Sequence, residues 1–301
     1  MLKHLYASAA LAAAVLPLAG CVAGLADTTS STVQDGTLAS RLVEIEAASG
    51  GRLGVALVSL DGGLIFAQRG GERFAMCSTF KLALAAMALE EEGLRDARLE
   101  FGADDILGYA PFAKQRAEIG AMSGLEAARN SVTLSDNTAA NLLLARLGGP
   151  EGFTAWLRAN GDDTTRLDRN EPTLNENAPG DPRDTTTPEA KAAFVAQLLW
   201  GDMLPPADRA MLRTWLVETP TGTNRLRAGL PSDWNPGDKT GTCGGASNRE
   251  VNDIAVFETP GGSRYVLAAY LDRPAGSVAE AEAVLADAAR AVAQWIEKSG
   301  A

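Results

Sequence analysis

Histidine is nearly absent from this chain, cysteine is scarce, and basic residues are outnumbered; each shortage excludes something. The one histidine, His4, stands in the first few residues, and there are only three cysteines. Two or three isolated thiols without histidine make a poor zinc site, so neither a metal nor another cofactor is expected. Lys and Arg number 27 against 38 Asp and Glu, giving a formal charge of -11 and an isoelectric point near 4.7. No dense Lys/Arg cluster occurs, so the chain lacks the basic patch that tracks a phosphate backbone, and nucleic acid is not an expected partner. The acidity reads as a well-solvated surface. No internal repeat is visible. What the chain does have is length and apolar content, 301 residues that are 46% hydrophobic, enough to bury a large core in one domain or two lobes.

The start of the chain has the marks of export. Lys3-His4 precede an apolar run from Leu5 to Leu18 that is short for a bilayer span, as in a secretory signal. The run closes on Leu18-Ala19-Gly20-Cys21, which resembles the bacterial lipobox, where cleavage falls before the cysteine and the new N-terminus carries lipid. The position of Cys21 at the end of the apolar run favours lipidation over cleavage near Ala23-Gly24-Leu25-Ala26, which would release a soluble periplasmic protein. Val22 stands where lipoproteins retained in the inner membrane carry Asp, so the expected destination is the outer membrane, facing the periplasm. The expected organisation is a signal over residues 1–20, a tether rich in Thr, Ser, Gly and Asp over 21–36, and a folded body over 37–301. With Cys21 claimed, Cys77 and Cys243 remain, and two cysteines in an oxidising compartment suggest one disulfide.

Along the body, Leu38, Leu42, Ile45 and Ala48 form one apolar stripe of a helix that Thr37 can cap and Gly50-Gly51 ends. Leu53 to Leu60 reads as a strand, and Asp61-Gly62-Gly63 as a tight turn into a second strand through Gln68. Helical spacing or a cap signal marks Ser78–Glu92, Ser123–Asn130, Ser135–Leu147, Pro150–Ala159, Pro188–Trp200 and Pro206–Glu218. Between Gly161 and Thr187 lies a polar segment too long for a passive connector. Strands return at Asp238–Thr242, Val251–Glu258 and Arg264–Leu271, and a last amphipathic helix runs over Val278–Glu297. This order implies a sheet assembled from both chain ends with an all-helical lobe inserted between them. Trp156, Trp200 and Trp234 read as core or interface fillers.

Three short motifs carry the chemistry. In Ser78-Thr79-Phe80-Lys81 the amine sits three residues from the hydroxyl on one helical face, within reach of it. A serine hydroxyl is a weak nucleophile until a base takes its proton, and a lysine desolvated among apolar neighbours can serve. At a helix start the Ser78 N–H is also available to an oxyanion. Ser135-Asp136-Asn137 and Lys239-Thr240-Gly241 follow. Each alone is bland: a capping serine with a solvated lysine, an ordinary N-cap, a strand ending in a turn.

Their order is not bland. Ser-x-x-Lys, Ser-Asp-Asn and Lys-Thr-Gly in succession resemble the penicillin-recognising serine enzymes, and Glu171-Pro172-Thr173-Leu174-Asn175 in the long polar segment resembles the omega loop of class A β-lactamases. The resemblance spans essentially the whole folded body. It implies a β-lactamase/transpeptidase-like fold of α/β (α+β) type, an antiparallel sheet flanked by helices, with the site in the cleft beside an all-α lobe. The α/β lobe would take about 37–76 and 219–301, and the all-α lobe about 77–218. It implies that Ser78 attacks a β-lactam carbonyl, with Lys81, or Glu171 through a water, as base. The N–H groups of Ser78 and Thr242 would hold the oxyanion, and Ser135 would relay a proton to the leaving nitrogen. Glu171 and Asn175 would hold the hydrolytic water, Asn137 the substrate amide, and Lys239, Thr240, Thr242 and Arg225 its carboxylate. Tyr109 would line the entrance, and Arg169 and Asp184 would pair across the neck of the loop. Cys77 and Cys243 with Thr242 resemble the carbapenemase subgroup, in which the matching cysteines form a disulfide beside the site. Asn170 departs from the aromatic of several relatives. The competing readings are a cell-wall D-alanyl-D-alanine carboxypeptidase or transpeptidase, against which Glu171 and Asn175 weigh, and a non-catalytic β-lactam sensor or structural lipoprotein. Nothing in the sequence demands more than a monomer.

Overall fold

The structure is a computed structural model that describes residues 36–245 and 248–299; Cys21, the signal and the tether lie outside the described residues. In chain order the elements are α1 (Gly36–Ser49), β1 (Arg52–Ser59), β2 (Gly63–Gln68), β3 (Phe74–Ala75), α2 (Lys81–Glu90), β4 (Arg98–Glu100), α3 (Pro111–Gln115), β5 (Ala121–Ser123), α4 (Gly124–Thr133) and α5 (Asn137–Arg146). There follow α6 (Gly149–Ala159), β6 (Thr185–Thr186), α7 (Pro188–Trp200), α8 (Pro206–Glu218), α9 (Leu226–Gly229), β7 (Gly237–Cys243), β8 (Glu250–Glu258), β9 (Arg264–Asp272) and α10 (Val278–Ser299). The main sheet runs β2-β1-β9-β8-β7 with every pairing antiparallel, so strands from the two ends of the chain meet at β1 and β9.

The period-two alternation of the strands feeds two separate cores. Leu53, Val55 and Leu57 of β1 and Leu267, Ala269 and Leu271 of β9 face one side, where α1 and α10 cover them. Ala56 and Val58, with Val266, Ala268 and Tyr270, face the other side and join the larger core that the helices α2, α4 to α8 build. A one-residue slip in either strand would exchange these faces, so burial on both sides fixes the register. Trp234 is buried and stacks on Phe257 with ring centroids 5.3 Å apart, while Trp156 lies between Phe153 and Phe194.

Several local expectations are corrected. The helix expected to open at Ser78 opens instead with a 3-10 turn over Cys77–Phe80, and α2 begins only at Lys81. The helix expected from Ser135 starts at Asn137; its cap is Asp136, whose Oδ1 accepts from Ala139 N at 2.8 Å, and Ser135 itself has φ 57°. The reason is that Asp136 serves two helices at once, its Oδ2 accepting from Phe112 N and Ala113 N at the start of α3. One carboxylate with four lone-pair sites does what a hydroxyl could not. The two-residue strands β3 and β6 and the pair β4 and β5 carry too few residues to show a period.

Cys77 and Cys243 form a disulfide, with Cα atoms 5.6 Å apart, joining the 3-10 turn to the end of β7 across 166 residues of sequence. Closing so long a loop restricts the unfolded chain, an effect of about 2–5 kcal/mol in native proteins. The variant Cys77→Ala with Cys243→Ala is expected to unfold at a lower temperature, with a loss of stability of about 2–5 kcal/mol, measured by calorimetry. An unchanged Tm would show that the bond contributes nothing to net stability.

Candidate active site

Lys81 is the first residue of α2 and is fully buried. Its Nζ donates to Ser78 Oγ at 3.0 Å, to Ser135 O at 2.9 Å and to Asn137 Oδ1 at 2.5 Å, and it lies 2.9 Å from Glu171 Oε1 as an ion pair. Burial holds the Lys81 ammonium below the usual lysine range, and the facing Glu171 carboxylate opposes that drop. One amine thus gathers residues from the 3-10 turn, α5 and the polar loop.

Ser135 is approached by two lysines. Lys81 takes its carbonyl, and Lys239 Nζ donates to its Oγ at 3.0 Å. Lys239 is buried on β7, and burial, then the neighbouring charge of Lys81, pull it down to about 7 against the opposing carboxylates of Asp238 and Asp253. Strand β7 lies close to the 3-10 turn because Gly241 has no side chain: a Cβ there would come 2.8 Å from Met76 O.

Glu171 sits in the polar loop, whose only helical piece is a 3-10 turn over Thr173–Asn175. Asn141 grips the Glu171 backbone from both sides, donating to Glu171 O at 2.8 Å and accepting from Glu171 N at 3.0 Å. Asn175 Nδ2 donates to Glu171 Oε2 at 2.6 Å. Arg169 and Asp184 do pair across the loop neck, Nε to Oδ2 at 2.6 Å, while Asp184 Oδ1 also accepts from the N–H of Asp168 and Arg169. The guanidinium of Arg225 uses four of its five N–H groups in these contacts: it donates to Glu282 Oε1, to the carbonyls of Gly241 and Asn252, and to Thr242 Oγ1 at 2.7 Å.

These groups surround a cavity of about 390 Å³ onto which Ser78, Tyr109, Ser135, Asn137, Asn175, Arg225, Thr240 and Thr242 all open. Lys81, Glu171 and Lys239 lie beneath its floor, and exposed Tyr109 stands at its rim. A larger cavity of about 740 Å³ beside β2 and α7 contains none of this chemistry. Four contributors escaped the sequence reading. Thr221 lines the cleft, with its hydroxyl 2.9 Å from that of Thr240, and Asn141 holds Glu171. Glu282 orients Arg225, and Asp253 accepts from Leu226 N and so fixes the turn behind it. Asn141 was accessible in principle, since it lies four residues after Asn137, one helical turn along the same face. Glu282 and Asp253 carried no local signal.

A hydroxyl contacted by a desolvated amine, a second hydroxyl bridged to another lysine, and a carboxylate hydrogen-bonded to an amide define a serine acyl-transfer hydrolase. A profile of the family described as "Beta-lactamase enzyme family" matches residues 37–296. The chain is 42% identical over 292 residues to a β-lactamase of Mycobacterium tuberculosis, covering 93% of this chain and 94% of that protein. It is 44% identical over 292 residues to a β-lactamase of Nocardia asteroides, covering 95% of this chain and 93% of the other. The solved structure of the class A β-lactamase of the last common ancestor of Gram-negative bacteria superimposes with a TM-score of 0.82 at 48% identity, over 86% of this chain and 99% of that one. The chain belongs to the β-lactamase enzyme family, as a class A serine enzyme that hydrolyses β-lactams.

The state of Lys239 yields a test. Its amine is charged below about 7 and neutral above, so attraction for a carboxylate-bearing substrate weakens as pH rises through that value. With benzylpenicillin, kcat/KM of the free enzyme is expected to fall on an alkaline limb starting near pH 7, by roughly ten-fold per unit well above it. Lys239→Arg should move that limb beyond pH 9. A limb that stays in place in the arginine variant would assign it to another group.

Proposed function

We propose that this enzyme hydrolyses penicillins and cephalosporins, and carbapenems as well, through a Ser78 acyl-enzyme, and so protects its host from these antibiotics. The observation that carries the proposal is the contact of Lys81 Nζ with both Ser78 Oγ and Glu171 Oε1, with Asn175 fixed on the other oxygen of Glu171. Ser78 Oγ attacks the lactam carbonyl while its proton passes to Lys81, or through a water to Glu171. The N–H groups of Ser78 and Thr242 stabilise the oxyanion. The C–N bond breaks, and Ser135, whose hydroxyl is coupled to Lys239, gives its proton to the nitrogen and is reprotonated with the proton taken from Ser78. A water held between Glu171 and Asn175 then loses a proton to Glu171 and attacks the ester, and Ser78 leaves with a proton restored. Asn137 receives the substrate amide, and Lys239, Thr240, Thr242 and Arg225 receive its carboxylate. Tyr109 borders the entrance.

Carbapenem hydrolysis is inferred from Thr242 next to the Cys77–Cys243 bond, which ties the nucleophile's turn to the strand bearing half of the oxyanion hole. The lobe over about 77–218 and the lobe of 37–76 with 219–301 supply opposite walls, and one chain supplies every group named, so a monomer suffices. The N-terminal sequence supports export to the periplasm with a lipid anchor on Cys21 in the outer membrane. A carboxypeptidase reading is disfavoured by the built pair of Glu171 and Asn175.

The test is turnover of nitrocefin, then imipenem, by protein lacking the residues up to Cys21, with intact mass recorded during reaction. Nitrocefin loss with transient acylation supports the mechanism, and imipenem loss supports the wider substrate range; undetectable imipenem turnover by oxidised, active enzyme removes the carbapenem reading. Glu171→Ala is expected to acylate and then stall as an adduct on Ser78. Normal turnover by that variant would take Glu171 out of the mechanism.

A further inference from the structure

One row of residues crosses four strands of the main sheet: Gly241 on β7, Asn252 on β8, Tyr270 on β9 and Gly54 on β1 pair in register, each with the next. Residues directly opposite on antiparallel strands point to the same face. This row faces the segment from Phe74 to Phe80, which carries Ser78. Its two ends are bare. A Cβ on Gly54 would come 2.5 Å from Phe74 Cε2, and one on Gly241 would come 2.8 Å from Met76 O, so the segment lies against the sheet backbone there. The two middle members are polar, fully buried and hydrogen-bonded to the segment. Asn252 Nδ2 donates to Ala75 O at 2.9 Å and to Cys77 Sγ at 3.6 Å. A carbonyl only accepts, so it is the nitrogen of the amide that must face Ala75 O. The Tyr270 hydroxyl lies 3.2 Å from Thr79 Oγ1; the Thr79 proton goes to Met76 O at 2.9 Å, so Tyr270 is the donor. Both neighbours of Ser78 are thus held from the sheet, Cys77 by Asn252 and Thr79 by Tyr270.

We propose that Asn252 and Tyr270 are positioning residues for the reaction: their hydrogen bonds seat the 3-10 turn on the sheet and so set where the Ser78 hydroxyl and N–H stand relative to the Thr242 N–H on β7. The proposal rests on Ser78 acting as nucleophile, with those two N–H groups as its oxyanion hole, as described above. The disulfide fastens the turn to β7 at one point, which leaves it free to tilt. Asn252 on β8 and Tyr270 on β9 supply the second and third points, and three points fix a plane. Neither side chain lines the cleft, whose substrate-facing groups include Asn137, Thr240, Thr242 and Arg225. Asn252 does meet Arg225, but through its main-chain carbonyl, which a change of side chain leaves in place. Loss of either tie therefore tilts the nucleophile and leaves the carboxylate-binding wall as it is. Attack is sensitive to such a shift, since a misplacement of about 1 Å can cost on the order of a hundred-fold in rate.

The experiment places Asn252→Ala, Asn252→Leu and Tyr270→Phe in the Glu171→Ala background and follows formation of the benzylpenicillin adduct by rapid quench and intact mass, with Tm as the folding control. Its dependence on penicillin concentration separates the acylation rate constant from the dissociation constant. Acylation is expected to slow by at least about five-fold in both Asn252 variants and by about two- to three-fold in Tyr270→Phe, with the dissociation constant changed by less than about two-fold. Asn252→Leu fills the space of the amide without its donors, and so tests the hydrogen bonds even where Asn252→Ala folds poorly. Tyr270→Phe removes a single hydroxyl. Unchanged acylation in folded variants, recovery of the full rate by Asn252→Leu, or a parallel weakening of binding overturns the positioning role. Absence of an adduct on Ser78 in the Glu171→Ala parent overturns the proposed function instead, and this role with it.

Discussion

The site depends on burying one ammonium group. Removing a charge from water is expensive, and Lys81 is tolerable inside the protein only because oxygens from three segments surround it. That requirement fixes the relative placement of the 3-10 turn, α5 and the polar loop more tightly than apolar packing could, since apolar contacts are not directional. The same burial weakens the hold of Lys81 on its proton. Structural constraint and chemical activation are therefore one interaction, and replacing Lys81 by an apolar residue would release the first while abolishing the second.

A second constraint is the approach of β7. Lys239 must reach Ser135, and Thr242 must stand beside the nucleophile, so the strand has to run almost in contact with the Cys77–Phe80 turn. Gly241 removes the side chain that would prevent this, and the disulfide at Cys243 fastens the strand end to the turn. Cys77 takes φ 47° and Ser135 φ 57°, a left-handed backbone that costs of order 1 kcal/mol or more for such residues. Cys77 flanks one of the proposed reacting groups and Ser135 is another, and the bonds of Lys81 and the disulfide hold this backbone in place.

Much of this was legible in the sequence, and the unreadable part has physical causes. Strands β1, β8 and β9 stand out as largely apolar runs buried on both faces, and the helices α1 and α10 as apolar stripes facing one core. The proposed reacting residues were legible because their types and order are unusual together. The starts of α2 and α5 were misplaced, since Ser78 and Ser135 look like caps, whereas Ser78 lies within the 3-10 turn and Ser135 in left-handed backbone. Glu282 and Asp253 were invisible for a different reason. They act on Arg225 and on the turn after it from α10 and β8, and only the closed sheet brings those elements together. Local pattern predicts what a residue does for its own element, not what it does for another.

The electrostatics of the cleft follow from depth rather than from net charge. The protein carries -11 overall, yet Lys239 and Arg225 meet at the cleft beside Thr240 and Thr242. The buried acids around them compensate less than their number suggests. Burial drives the Asp253 carboxyl well above the usual carboxylate range, and the nearby Asp238 raises it further, which weakens its countercharge. Glu282 remains as the partner of Arg225 at Nε, while Nη2 donates to the Thr242 hydroxyl. Arg225 on the cleft wall and Lys239 beneath it leave a residual positive potential there. In a low-dielectric pocket that residual positive potential outweighs the screened surface charge at the range where a carboxylate docks. An acidic protein can in this way present a cationic site to an anionic substrate without any basic patch appearing in its sequence.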